Sequence, residues 1–240
     1  MSRLAVVTGG TRGIGEAISI ALKDAGYRVA ANYGGNDERA KEFSDRTGIP
    51  AYKFDVSDFD ACQEGVKQIE NDLGPVEILV NNAGITRDRT MHKMGFEQWN
   101  EVIQTNLSSC FNMSHAVIHD MHEKGFGRIV NIGSVNGQAG QYGQVNYASA
   151  KSGIHGFTKA LALEGAAKGI TVNAVAPGYV ATEMVQGVPE KVLEKIIAQI
   201  PVGRLGVAND IARAVVFLVD EDASFITGST LSINGGHHMY

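Results

Sequence analysis

Tyr147 and Lys151 stand four residues apart in Tyr147-Ala148-Ser149-Ala150-Lys151. At the start of a helix, side chains at i and i+4 project from one face, so phenol and ammonium become neighbours. A free tyrosine titrates near ~10, too high to cycle protons easily at neutral pH. An ammonium ~6 Å away, at an effective dielectric of ~20, favours the phenolate by about 3 kcal/mol, or ~2 pKa units. Tyr147 is therefore expected to act as a general acid/base. Ser134 closes an apolar run thirteen residues earlier and could hold a substrate carbonyl beside that phenol. A second constellation, Thr8-Gly9-Gly10-Thr11-Arg12-Gly13-Ile14-Gly15, directly follows the apolar run 4–7. Glycines leave room for a phosphate against the backbone, and the helix that follows offers unpaired N–H groups to a pyrophosphate. The spacing is neither G-x-G-x-x-G nor a P-loop. About 20 residues on, NAD-binding folds place an acid on the ribose 2′-hydroxyl. Here Asn32-Tyr33-Gly34-Gly35-Asn36 carries none before Asp37. Without that repulsion, and with Arg12 and Arg39 able to make charge-assisted bonds, NADP(H) is the expected cofactor. An aspartate at Asn32 or Tyr33 is expected to push the preference towards NADH.

The elements that must position these residues are legible from periodicity. Apolar runs at 4–7, 27–31, 51–54, 76–80, 128–132, 170–175 and 230–233 alternate with amphipathic stretches near 13–25, 37–46, 58–73, 97–124, 147–168, 189–199 and 208–220. Several runs are apolar almost without alternation, as strands covered on both faces are. The rhythm predicts an α/β fold: a doubly wound parallel sheet, three layers, one domain over 1–240. Ligands of such sheets bind beyond the carboxyl ends of the strands, where the candidate residues fall. Composition agrees, with 44% hydrophobic and 20% charged residues in a chain of 240, which excludes a disordered protein. A net charge of −5 excludes a general nucleic-acid binder. No signal-peptide pattern or apolar run of membrane-spanning length is expected. Two lone thiols, Cys62 and Cys110, suit a reducing cytosol, so a cytoplasmic location is expected. His115, His119 and His122 form one helical stripe, read as a subunit contact or solvated face rather than a metal site.

These motifs resemble the short-chain dehydrogenase/reductase family over essentially the whole chain. Besides Thr8 to Gly15 they comprise Asn81-Asn82-Ala83-Gly84, Asn106, Ser134, Tyr147, Lys151 and Pro177-Gly178 with Thr182. The resemblance implies a Rossmann sheet of seven strands in the order 3-2-1-4-5-6-7. It implies a catalytic tetrad of Asn106, Ser134, Tyr147 and Lys151, with Lys151 on the nicotinamide ribose and Asn106 holding a water of the proton relay. It assigns cofactor contacts to Gly9, Thr11, Arg12, Gly13, Ile14, Gly15, Gly34, Arg39, Asp55, Val56, Asn82, Ala83, Gly84, Tyr147, Lys151, Pro177, Gly178, Val180 and Thr182. No metal is implied.

Within the family, Asn81 to Asp88, Ser134 to Tyr147 and Asn234 to Met239 are most similar to reductases of acetoacetyl-CoA in polyhydroxyalkanoate (polyhydroxybutyrate) synthesis. The resemblance implies NADPH-dependent reduction of a 3-oxoacyl-CoA thioester to the (3R)-3-hydroxyacyl-CoA. Asp88, Ser134, Gln141, Tyr142, Gln144, Tyr147 and Tyr179 would contact the substrate. Two alternatives stand: reduction of 3-oxoacyl-[acyl-carrier-protein], and a cofactor-binding regulator without turnover. An acidic carrier protein needs basic surface, for which Arg128 and Lys168 are the candidates. A homotetramer with 222 symmetry is implied, joined through the helices near 97–124 and 147–168 and through the last strand and tail.

Overall fold

The computed structural model describes residues 2–182 and 190–239. Seven strands, β1 (Leu4–Val7), β2 (Arg28–Tyr33), β3 (Ala51–Lys53), β4 (Val76–Asn81), β5 (Gly127–Ile132), β6 (Ile170–Pro177) and β7 (Thr230–Ile233), form one sheet. All neighbours pair in parallel, in the order β3-β2-β1-β4-β5-β6-β7. The expected order therefore holds. Every residue of β1 is fully buried, as its unbroken Leu-Ala-Val-Val run requires of a strand covered on both faces.

Helices α1 (Gly13–Asp24) and α2 (Asp37–Thr47) cover one face together with α9 (Ala208–Val219). Ile18, Leu22, Phe43, Ile211 and Val215 pack there against Ala5, Val7 and Ile78. The other face carries α3 (Phe59–Leu73), α5 (Ser109–Lys124) and α7 (Val145–Gly165). Val66, Ile69, Met113, Val117 and Ala162 meet Leu4, Val6, Leu79 and Val172 on that side. Truncating a fully buried Leu or Met here to Ala would cost about 2–5 kcal/mol.

Two departures from the periodicity shape the functional edge. The helix expected near 97–124 is broken into α4 (Phe96–Ile103) and α5 by a π-turn over Gln104–Ser108. Between β5 and α7, where a loop was expected, lies a five-residue helix, α6 (Val135–Ala139), N-capped by the Ser134 side chain. The stretch near 189–199 forms α8 (Glu190–Ala198); residue 189 lies outside the described residues. The second strand also runs further than the expected 27–31, because Asn32 and Tyr33 pair with Tyr52 and Lys53.

Candidate active site

The ends of β1 and β4 are tied to each other before any ligand is considered. The Thr8 hydroxyl oxygen accepts from the backbone N–H groups of Asn82 and Ala83 at 2.9 and 3.0 Å. The Asn82 side chain donates back to Thr8 O at 2.9 Å and Gly9 O at 3.3 Å. Gly9 N in turn donates to Asn32 Oδ1 at 3.3 Å, and Asn32 Nδ2 donates to Phe54 O at 2.9 Å. Asn32 is thus a buried clamp, 1% exposed, joining the glycine turn to the end of β3. A carboxylate there would be buried and would lose the donor to Phe54. The expectation for an aspartate at Asn32 is corrected, and Tyr33 and Gly34 are the positions that reach the surface.

The glycine turn leaves its helix end open. Arg12 is the N-cap residue of α1 but makes no side-chain cap, so the first-turn N–H groups remain for a ligand. A Cβ at Gly15 would stand 2.1 Å from Gly9 O, so only glycine closes this turn. Gly13 adopts φ +55°, and its nearest neighbour across the turn is Thr182 Cγ2, 4.0 Å from where a Cβ would lie. Ile14 and Thr11 complete the rim, the latter buried. Arg12 is exposed, and Arg39 lines a polar concavity with Thr11, Glu16, Asn36 and Arg46. Arg46 neutralises Glu16 at 2.5 Å. Gly34 opens the surface turn beyond β2. Asp55 folds its carboxylate onto Ser57 N at 2.9 Å, while Val56 is buried and its carbonyl accepts from Asn112 Nδ2 at 3.0 Å. These donors and openings fit a nicotinamide dinucleotide: helix amides for a pyrophosphate, an open glycine, and an arginine at the adenosine side.

The proton-handling groups gather at the ends of β4 and β5. Ser134 leaves β5 in extended conformation, and its Oγ accepts from Asn136 N at 3.1 Å, so the hydroxyl hydrogen stays available to donate. Tyr147 lies in the first turn of α7 and Lys151 one turn on. Lys151 is 4% exposed, with Nζ donating to Ile132 O at 2.7 Å and standing 5.7 Å from the Tyr147 ring centroid. Gly137 lets α6 lie directly on this turn; a Cβ there would meet Lys151 C at 2.7 Å.

The spacing is as expected, but the electrostatic sign is not. Burial pushes the Tyr147 phenol above its ordinary value; a hydrogen bond with Ser134 opposes this and the Asp88 carboxylate adds to it. Lys151 bears desolvation as well, brought down to about 8 by burial, with the Cys110 thiol opposing. In a dry site the cost of burying a charge exceeds the mutual help of the pair. Tyr147 is therefore held as a neutral donor.

Asn106, 1% exposed, sits in the π-turn. Its Oδ1 accepts from Ile85 N at 2.8 Å and its Nδ2 donates to Ile85 O at 2.9 Å. These two bonds fix the loop after β4 and leave one lone pair of Oδ1 and one Nδ2 hydrogen of the side chain uncommitted. Gly84 sits between the two groups, a Cβ there lying 3.3 Å from Asn106 Oδ1 and 3.7 Å from Lys151 Nζ. Ala83 adjoins through its bond to Thr8. Pro177 and Gly178 end β6 beside Asn234, and Val180 bridges to Gly206.

On the substrate side a chain of bonds runs from the loop to the serine. Gln144 Nε2 donates to Asp88 Oδ2 at 2.7 Å, and Asn136 Nδ2 donates to Gln144 Oε1 at 2.9 Å. Gln141 and Tyr142 are exposed at the mouth. The Tyr179 ring lies 5.6 Å from His237. Asn136 and Asn146 were missed as site residues, and the bracing roles of Thr8 and Asn32 were not foreseen. Their signal was available: polar residues at the ends of strands otherwise buried, or beside the tyrosine, need partners.

Arg128 is not the surface cation the sequence suggested. It is 2% exposed at the amino end of β5, bonded to the carbonyls of Gly127, Gly169 and Asp220 and stacked 4.3 Å from the Phe126 ring centroid. Lys168 is exposed, but just before β6 starts, at the edge opposite the site. Neither residue flanks the cleft. In the histidine stripe, His115 packs on Phe59 and Phe111, and His119 faces Glu123 at 3.4 Å.

A family profile described as Enoyl-(Acyl carrier protein) reductase matches residues 9–238. An acetoacetyl-CoA reductase of Rhizobium meliloti is 66% identical over 240 residues, covering 100% of both chains. One from Cupriavidus necator is 48% identical, covering 99% of this chain and 98% of its own. A 3-oxoacyl-[acyl-carrier-protein] reductase of Haemophilus influenzae is 46% identical, again over 99% and 98%.

Proposed function

The chain belongs to the short-chain dehydrogenase/reductase family, and from that premise we propose how its site works and on what. It is an oxidoreductase that acts at a CH–OH group, reducing acetoacetyl-CoA to the (3R)-3-hydroxyacyl-CoA. The cofactor is a nicotinamide dinucleotide, and we assign NADPH. Among the described residues no helix is long and apolar enough to cross a membrane. The proposal extends to a cytoplasmic homotetramer that supplies polyhydroxybutyrate synthesis.

The observation that carries the mechanism is the convergence of Ser134, Tyr147 and Lys151 at the carboxyl ends of the strands, with the phenol held neutral. A nicotinamide dinucleotide held by the glycine turn and Lys151 would supply the hydride that C3 of the ketone needs. Ser134, its oxygen already accepting from Asn136, donates to the substrate carbonyl and fixes its orientation. Tyr147 gives its proton to that oxygen. The phenolate left behind is stabilised by the Lys151 ammonium. Lys151 uses one donor on Ile132 O and directs the others to the nicotinamide ribose. Arg12 and Arg39 meet the 2′-phosphate, and Asp88 and Gln144 brace the mouth where Gln141, Tyr142 and Tyr179 receive the thioester arm.

Oxidation of NADPH by acetoacetyl-CoA tests the reading directly. The expected result is turnover with NADPH well above NADH, and with the CoA ester above the carrier-protein ester at equal acyl length. Preference for the carrier-protein ester would move the assignment to fatty acid synthesis. Tight NADPH binding without turnover of any 3-oxoacyl thioester would mark a regulator.

A further inference from the structure

We propose that Asn146 is a positioning residue for the acid: it ties the loop after β4 to the first turn of α7 and so fixes where the Tyr147 hydroxyl meets substrate. The inference rests on Tyr147 being the proton donor. Asn146 is fully buried. The first N–H groups of a helix have no intrahelical partner, and Gln144, the N-cap of α7, provides no side-chain cap. Asn146 Oδ1 fills that role for the catalytic residue itself, accepting from Tyr147 N at 2.8 Å. Its two amide hydrogens go to backbone carbonyls on separate elements, Arg87 O at 3.0 Å and Gln98 O at 3.1 Å. One side chain therefore joins the substrate-side loop, α4 and the acid.

The residue type follows from this inventory. Two donors and one acceptor at this reach belong to asparagine; aspartate keeps the acceptor without the donors, serine has one donor, and glutamine is a methylene longer. Other ties span the same gap: Arg89 N to Gly143 O at 2.8 Å, Gln144 to Asp88 at 2.7 Å, and Arg87 to Glu101 at 2.7 Å. Arg87, Asp88, Arg89 and Glu101 are all exposed, so water can replace those bonds, whereas Asn146 is sealed from it. Losing Asn146 removes a donor from Arg87 O and a second donor from Gln98 O, leaves Tyr147 N without its acceptor, and frees the loop bearing Asp88 to move relative to the phenol. A misplacement of about 1 Å at a reacting group is worth up to ~10²-fold in rate.

The experiment compares wild-type enzyme with Asn146→Ala and Asn146→Asp, using whichever 3-oxoacyl thioester the wild type reduces. Activity is normalised to NADPH-binding sites counted by fluorescence. Asn146 makes no bond to the glycine turn, its side-chain partners being Arg87, Gln98 and Tyr147, so the dissociation constant for NADPH is expected within about twofold of wild type. Per site, kcat is expected to fall 10- to 100-fold in both variants, more than KM rises, with a displaced pH profile. A purely structural role would lower the number of binding sites and leave kcat per site and the profile unchanged; that outcome overturns the proposal. Should neither variant fold, amide exchange in wild type decides. Protection of the Tyr147 N–H equal to the interior of α7 supports the tie, and free exchange overturns it. A wild type that reduces no thioester overturns the function instead, not the tie.

Discussion

The Tyr147 and Lys151 pair shows how one cluster sets both chemistry and stability. Tyr147→Phe removes only the donor, so NADPH binding is expected to survive while turnover falls ~10²–10⁴-fold; activity above a tenth of wild type would exclude Tyr147 as the acid. Lys151 is costly to the fold, because its folded pKa of about 8 lies below the ordinary lysine value. Below pH 8 the native state carries a buried ammonium. Between about 8 and 10.5 the unfolded chain binds more protons than the native one, so this group makes stability rise with pH across that window. The contribution is of the order of 3 kcal/mol. Lys151→Met is therefore expected to abolish reduction, raise the melting temperature at pH 7 and erase that part of the pH dependence; a lower melting temperature would refute the assignment of cost. Arg12 is exposed at the open end of α1. Arg12→Ala should raise KM for NADPH 10- to 100-fold, since a charge-assisted bond is worth about 1.5–3 kcal/mol. KM for NADH should change little; equal weakening of both would mean that Arg12 shapes the turn instead. Tyr33→Asp, not Asn32→Asp, is the change expected to favour NADH.

At the scale of elements, the contact of α6 with α7 is the vulnerable joint. Gly137→Ala would drive a methyl group to within 2.7 Å of Lys151 C and 2.9 Å of Lys151 O. Backbone cannot yield as a side-chain tip can, so a loss of about 1–3 kcal/mol is expected, with kcat falling alongside as Lys151 shifts. Thermal unfolding and NADPH titration of the variant check both; an unchanged melting temperature would show that α6 moves freely. This joint was invisible in the sequence for a physical reason. The stretch Val135-Asn136-Gly137-Gln138-Ala139 is too short to show helical periodicity, and its cap, Ser134, was already read as a catalytic group. The π-turn was hidden likewise, because one extra residue in a turn leaves no compositional mark; it follows from the need to bury Asn106 against Ile85. The seven strands were legible because parallel strands buried on both faces are largely apolar runs, as β1 is throughout and β4 is apart from Glu77 and Asn81. Ser134 was legible because it follows the end of β5, and Tyr147 with Lys151 through their i, i+4 spacing, whereas Asn106, inside the π-turn, came only with the family resemblance. Asn32 was misjudged because the end of β2 was placed two residues early, which turned a buried clamp into a surface position.

At the scale of the molecule, several exposed apolar side chains lie on or beside elements of the proposed tetramer contacts. Leu163 on α7 is 84% exposed and Phe111 on α5 is 51% exposed, with the Phe111 ring 6.1 Å from Phe59. Beside the sheet's other end, Phe217 on α9 is 54% exposed and Phe225, shortly before β7, is fully exposed. Isolated apolar residues are normal on a surface, and these two separate groups are where the proposed assembly can be tested, one contact at a time. A dihedral tetramer uses one such patch per two-fold axis, so each can be broken independently. Sedimentation velocity of wild type at micromolar concentration is expected to give a four-chain species. Leu163→Glu buries a charge at the helix contact and should leave a two-chain species held by the other patch; Phe225→Glu should leave the complementary one, and the double variant a single chain. Reduction should persist in the two-chain forms, because Ser134, Tyr147, Lys151 and the glycine turn all come from one chain. A wild type that sediments only as a monomer would overturn the assembly and leave the site unaffected.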